Sequence, residues 1–122
     1  MRALIVVALS LLASRVAVAA NDPYAAFAAG EYRKALQGFQ KRQTERPNDP
    51  ELWERIGDSH YRLGNFGAAR QAFRRLVELD PKWPNAFYNL GNAEARTGRF
   101  PAAVRHYKKA LELDPSDSAA RH

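Results

Sequence analysis

The chain has 122 residues, room for one small domain. Hydrophobic residues make up 46% and charged residues 26%, which excludes wholesale disorder, and the lack of cysteine excludes a disulfide framework, a thiolate zinc site and a cysteine nucleophile. Lys and Arg number 19 against 13 Asp and Glu, giving +6, a balance that suits anionic partners without identifying one.

Residues 1–20 differ in composition from everything after them. Arg2 supplies positive charge, Ala3 to Ala13 is apolar apart from Ser10, and Ala17-Val18-Ala19 offers the small-x-small pattern of a signal-peptidase site. The apolar run is shorter than the ~20 residues that span a bilayer. Residues 1–19 therefore read as a secretory signal cut after Ala19, although Arg15 is atypical so near a cleavage site. An uncleaved anchor is the alternative. Export without cysteine fits a bacterial periplasm. Residues 20–122 form the mature domain.

From Pro23 onward the sequence lands on itself when shifted by 34 residues. Trp53 falls on Phe87, Ile56-Gly57 on Leu90-Gly91, and Gly64 on Gly98. Phe66 falls on Phe100, Ala69 on Ala103, Phe73 on Tyr107 and Pro81 on Pro115. A third, damaged copy comes first, marked by Gly30, Tyr32, Ala35, Phe39 and Pro47. Where the later copies carry Gly57 and Gly91, it has Pro23. The repeats run over about 23–49, 50–83 and 84–117.

Each period predicts two helices, over 23–29 and 31–45, 50–63 and 66–79, 84–97 and 100–113. Pro50 and Pro84 suit a first helical position, where the missing N–H costs nothing, and Asp49 caps the helix that Pro50 opens. Gly64 and Gly98 end the leading helices in the left-handed conformation. Pro81 and Pro115 stop the second helices. Gly57 and Gly91 sit mid-helix, where glycine costs about 1 kcal/mol relative to alanine. Their recurrence predicts close helix approach, with Ala69 and Ala103 as the small partners.

These residues resemble the tetratricopeptide repeat: Trp53, Ile56-Gly57, His60, Ala69, Phe73, Leu76 and Pro81 in one copy, and Phe87, Leu90-Gly91, Glu94, Ala103, Tyr107, Ala110 and Pro115 in the next. His60 and Glu94 stand where tyrosine is usual. The resemblance implies an all-α fold of antiparallel helix hairpins stacked in a right-handed superhelix, first helices on the concave side. It also implies a protein-binding role, with a peptide or protein segment held in the concave groove and the chain acting as an assembly or scaffold factor. The groove candidates are Arg55, Asp58, Arg62, Asn85, Tyr88, Asn89, Asn92 and Arg96, with Glu51 and Tyr61 nearby. Asn89 and Asn92 lie one turn apart, and an asparagine amide both donates and accepts. The arginines offer bidentate forks for carboxylates. Some relatives clamp a C-terminal carboxylate with Lys, Asn, Asn, Lys and Arg. Here Asn92 is kept but Asp58 replaces the asparagine one repeat earlier, so that specificity is not carried over. A plainly solvated polar face is the alternative reading.

Lys41, Arg75 and Lys109 recur at the repeat interval, and with Arg70, Arg74, Arg105 and Lys108 they form a basic convex ridge. It reads as a solubilising face. Membrane contact is expected only through it, and export argues against nucleic acid. There is no phosphate loop or nucleophile elbow, and His60, His106 and His122 lack metal-ligand spacing, so no catalytic, cofactor or metal residue is expected. His60 reads as a packing residue and His106 as exposed. The residues after Pro115 are too few for a capping helix. The last hairpin is therefore expected to expose its outer side, which leaves self-association, partner docking or a longer parent chain as alternatives.

Overall fold

The computed structural model describes residues 21–114. The expected signal over 1–19 and the end of the third repeat at 115–117 lie outside the described residues. Six helices follow one another: α1 (Pro23–Ala28), α2 (Tyr32–Glu45), α3 (Pro50–Arg62), α4 (Phe66–Leu79), α5 (Ala86–Arg96) and α6 (Phe100–Leu113). Among the described residues there is no strand. The main contacts join each helix to the next, which makes three antiparallel hairpins stacked side by side. No described helix is long and apolar enough to cross a membrane.

The starts and stops have local causes. Asp22 and Asp49 each accept from the backbone N–H two residues on, at 3.1 Å, with Pro23 and Pro50 in the first turn. At the other end Gly64 adopts φ +81°; its N–H reaches the Tyr61 carbonyl and the Asn65 N–H reaches the His60 carbonyl. This pair of bonds closes the helix through a left-handed residue. The same closure recurs one repeat earlier and one later.

The third repeat starts differently from the expectation. Its leading helix begins at Ala86 rather than Pro84, because Trp83 stands where the previous repeat has the capping Asp49. Without that carboxylate the chain turns twice. Trp83 N–H donates to the Asp80 carbonyl, Ala86 N–H to the Trp83 carbonyl, and Asn85 takes the left-handed conformation at φ +63°. The Trp83 indole N–H donates instead to Glu54 at 2.8 Å, tying the turn to α3.

Two apolar clusters fill the stack. One holds Phe39, Leu36, Leu52 and Ile56; the other holds Phe73, Leu76, Leu90 and Ala93. Trp53 packs against both. The mid-helix glycines do mark close approach, but their partners are aromatic. A Cβ on Gly57 would overlap the Phe73 ring, and one on Gly91 would lie 2.8 Å from Tyr107. Ala69 and Ala103 are buried without being that contact. In the first hairpin the small residue changes sides: Pro23 occupies the glycine position, and Gly38 of α2 makes room for it, a Cβ there lying 2.7 Å from the proline ring.

Glu94, at a family tyrosine position, is buried at 2% exposure and pairs with His106 at 2.5 Å. His106 is therefore half-buried and stacked on Phe87, not exposed as its sequence position implied. A buried carboxylate requires such a partner. His60 is half-buried, and burial holds its pKa below the usual imidazole value.

Candidate peptide-binding groove

A cleft of about 260 Å³ opens between α3 and α5. Asp58, Tyr61 and Arg62 come from α3, Asn89 and Asn92 from α5, and Phe73 of α4 forms the floor. Helical spacing explains the set. Asp58, Tyr61 and Arg62 lie within one turn of one another, as do Asn89 and Asn92, so each helix turns one polar edge to the opening.

Four of the eight groove candidates read from the sequence meet here: Asp58, Arg62, Asn89 and Asn92. The other four lie elsewhere, three of them engaged by neighbouring rings. The Arg55 guanidinium lies over the rings of Tyr24 and Phe27, at 5.2 and 5.3 Å, and joins α3 to α1. Arg96 lies over Phe66 at 4.3 Å. Tyr88 turns toward Tyr107, ring centroids 5.7 Å apart. Asn85 sits in the turn before α5, exposed. Glu51 accepts from the Tyr24 hydroxyl at 3.1 Å.

Two contributors escaped the sequence reading. In the sequence Phe73 stands only as a member of the repeat pattern. Tyr107 donates its hydroxyl proton to Oδ1 of Asn92 at 2.6 Å, which fixes the amide with its NH₂ free to donate. Burial, with Tyr88, Tyr61 and Glu94 nearby, keeps the Tyr107 pKa above its ordinary value, so it remains a donor. The signal for both was the aromatic at the glycine contact, since Phe73 and Tyr107 are one repeat apart.

Asp58 gives the cleft its charge. Among the described residues it makes no hydrogen bond or ion pair. Arg62, one turn on, leans over Tyr32 instead, 5.8 Å from the ring centre. Burial pushes the Asp58 pKa up to about 6, Glu54 adds to the rise, and Arg55 and Arg62 oppose it. The cleft thus presents one carboxylate acceptor, one oriented amide donor and one amide of both kinds. That set can hold a peptide backbone and a donor or cationic group beside it. Among the described residues no group of three His, Cys, Asp or Glu is placed to hold a metal ion.

Stacked hairpins with a polar cleft between their leading helices define a helical-repeat binding scaffold. The family model for the tetratricopeptide repeat matches residues 24–84 and 54–118, and the chain belongs to that family. Solved structures agree on the fold. The first such domain of Spaghetti (RPAP3), bound to the HSP90 peptide SRMEEVD, is 24% identical at a TM-score of 0.78, over 81% of this chain and 79% of that one. The OM64 domain from Arabidopsis is 20% identical at 0.78, over 82% and 83%. MamA is 20% identical at 0.77, over 80% of this chain and 57% of that one. No curated protein matches the sequence.

Proposed function

We propose that the chain is an exported, envelope-located interaction module without catalysis of its own. It holds an extended peptide or protein segment in the cleft between α3 and α5, as an assembly or scaffold factor. The observation that carries this reading is the convergence of Asp58, Asn89 and the Tyr107-oriented Asn92 on one opening. The apolar run and small-x-small site in residues 1–19 support export to a bacterial periplasm. Asp58 also sets the chemistry of the segment: a donor or a cation suits it, whereas a carboxylate placed there meets like charge. The acidic peptide bound by the Spaghetti domain is therefore a useful negative control.

Selection of peptides from a random library against the folded domain tests the groove. The selected peptides should weaken at least about tenfold, or ~1.4 kcal/mol, on Asn89→Ala with Asn92→Ala. Unchanged affinity rejects the cleft as the site. Fractionation of cells carrying the full-length gene tests export; a cytoplasmic, unprocessed product rejects it.

A second reading is favoured by one observation. Phe100 and Val104 on α6 are 63% and 50% exposed, and nothing among the described residues covers them. Self-association through this edge would shield them. Sedimentation at high concentration decides: a monomer eliminates it.

A further inference from the structure

The convex side carries a second concavity. A hollow of about 400 Å³ lies between α4 and α6, with α5 beneath. Arg70 and Arg74 enter it from α4, Arg105 from α6, and Arg99 from the turn before α6. Val77, Leu90 and Ala102 supply apolar wall. Among the described residues none of the four arginines forms an ion pair. Arg70 Nε is shielded from solvent without a hydrogen-bond partner. Two carboxylates are close by, but both are engaged: Glu94 by His106 at 2.5 Å, and Glu78 by Arg75 at 3.4 Å.

The preceding repeat provides an internal control. A hollow of about 330 Å³ lies at the same place between α2 and α4. A shift of 34 residues carries Ile56 to Leu90, Ala68 to Ala102 and Gln43 to Val77, so the two hollows share their frame. The same shift carries Leu36 to Arg70, Gln40 to Arg74, Asn65 to Arg99 and Gln71 to Arg105. All four guanidinium groups stand on positions that are neutral one repeat earlier. The earlier hairpins stack with no charge at any of these four positions, Arg75 being the one arginine of the first hollow, so packing does not require the four arginines. Gathering like charges around one space is unfavourable, and Arg70 shows it: burial, then Arg99 and Arg74, lower its pKa, and Glu94 offsets only part of the fall.

We propose that this hollow binds a small organic phosphate, with the phosphate among Arg70, Arg74, Arg99 and Arg105 and the apolar body against Val77, Leu90 and Ala102. Planar guanidinium forks match phosphate oxygens in pairs, and several of them suit a dianion better than a single carboxylate. The volume lies in the range of small-molecule sites.

Calorimetric titration of the folded chain with phenyl phosphate, and separately with pyrophosphate, tests this. The comparison protein carries Arg74→Gln, Arg99→Asn and Arg105→Gln, the residues that stand at these positions one repeat earlier. We expect saturable phenyl phosphate binding at about 1 mM or tighter, weakened at least about tenfold in the triple variant and unchanged in Asp58→Asn. Arg105→Gln alone, at an exposed position, carries the test should the triple variant misfold. Absence of saturable binding overturns the proposal, as does equal binding by variants that remain helical. A third arm uses phosphatidylglycerol vesicles: adsorption to these, with no binding of either soluble phosphate, overturns the site in favour of a charged surface.

Discussion

The two junctions between hairpins share one backbone plan and treat their concave sides in opposite ways. At the first, Tyr24 and Phe27 fill the space and Arg55 lies over both rings. One repeat later the same positions are Asp58, Tyr61 and Asn89, and the space is an open cleft. The convex sides also differ: three glutamines and one arginine, Arg75, line the first hollow, and four arginines line the second. The repeat interval thus sets where helices meet. Departures from the repeat at polar positions set where a ligand fits.

The largest expected effect breaks the frame that both junctions share. Gly57→Ala drives a Cβ into the buried Phe73 ring, and the gain in helix propensity offsets only part of the clash. We expect a loss of about 2–3 kcal/mol, seen as a fall of roughly 10–15 °C in Tm. Gly91→Ala should cost less, because Tyr107 is half-exposed and can swing outward.

The next converts one junction into the other. Asp58→Tyr with Asn89→Arg copies the first junction onto the second and should plug the cleft. Helicity should persist, while affinity for groove-selected peptides should fall more than about tenfold by fluorescence polarisation. Retained affinity would mean that the open cleft is not what distinguishes the junctions.

The smallest effect isolates the Asp58 charge. Its pKa in the fold, about 6, lies above that of an unfolded aspartate. The native state therefore keeps the proton after the unfolded chain has lost it, and stability falls as pH rises from about 4 to about 6. Asp58→Asn removes this penalty. We expect a gain of about 1 kcal/mol at pH 7, reduced from the full shift by partial solvent screening, that disappears below about pH 4 in urea melts at both pH values.

Much of the fold was legible because glycine and proline report backbone constraints directly. Gly64 and Gly98 placed two helix ends, and Pro50 with Asp49 placed a start. The start of α5 departs from the sequence expectation for the same reason in reverse: Pro84 suits a helix start, but Trp83 supplies no capping carboxylate. The Gly38–Pro23 contact stayed hidden because the small residue moved to the other helix. The groove was half legible. Helical spacing places residues on a face but does not say whether a neighbouring ring captures them, as Tyr24 captures Arg55 and Phe66 captures Arg96. In sequence the arginine hollow looks like a ridge, because Arg75 and Lys109 repeat while the change from Gln40 to Arg74 is a departure from the repeat.

The central claim is that the cleft between α3 and α5 receives the partner segment. The most direct measurement is amide and side-chain chemical-shift mapping of the labelled domain during titration with a selected peptide. The account predicts that the largest shifts fall on Asp58, Tyr61 and the side-chain amides of Asn89 and Asn92. Saturating shifts confined to Phe100 and Val104 on α6, or to the convex arginines, would contradict it.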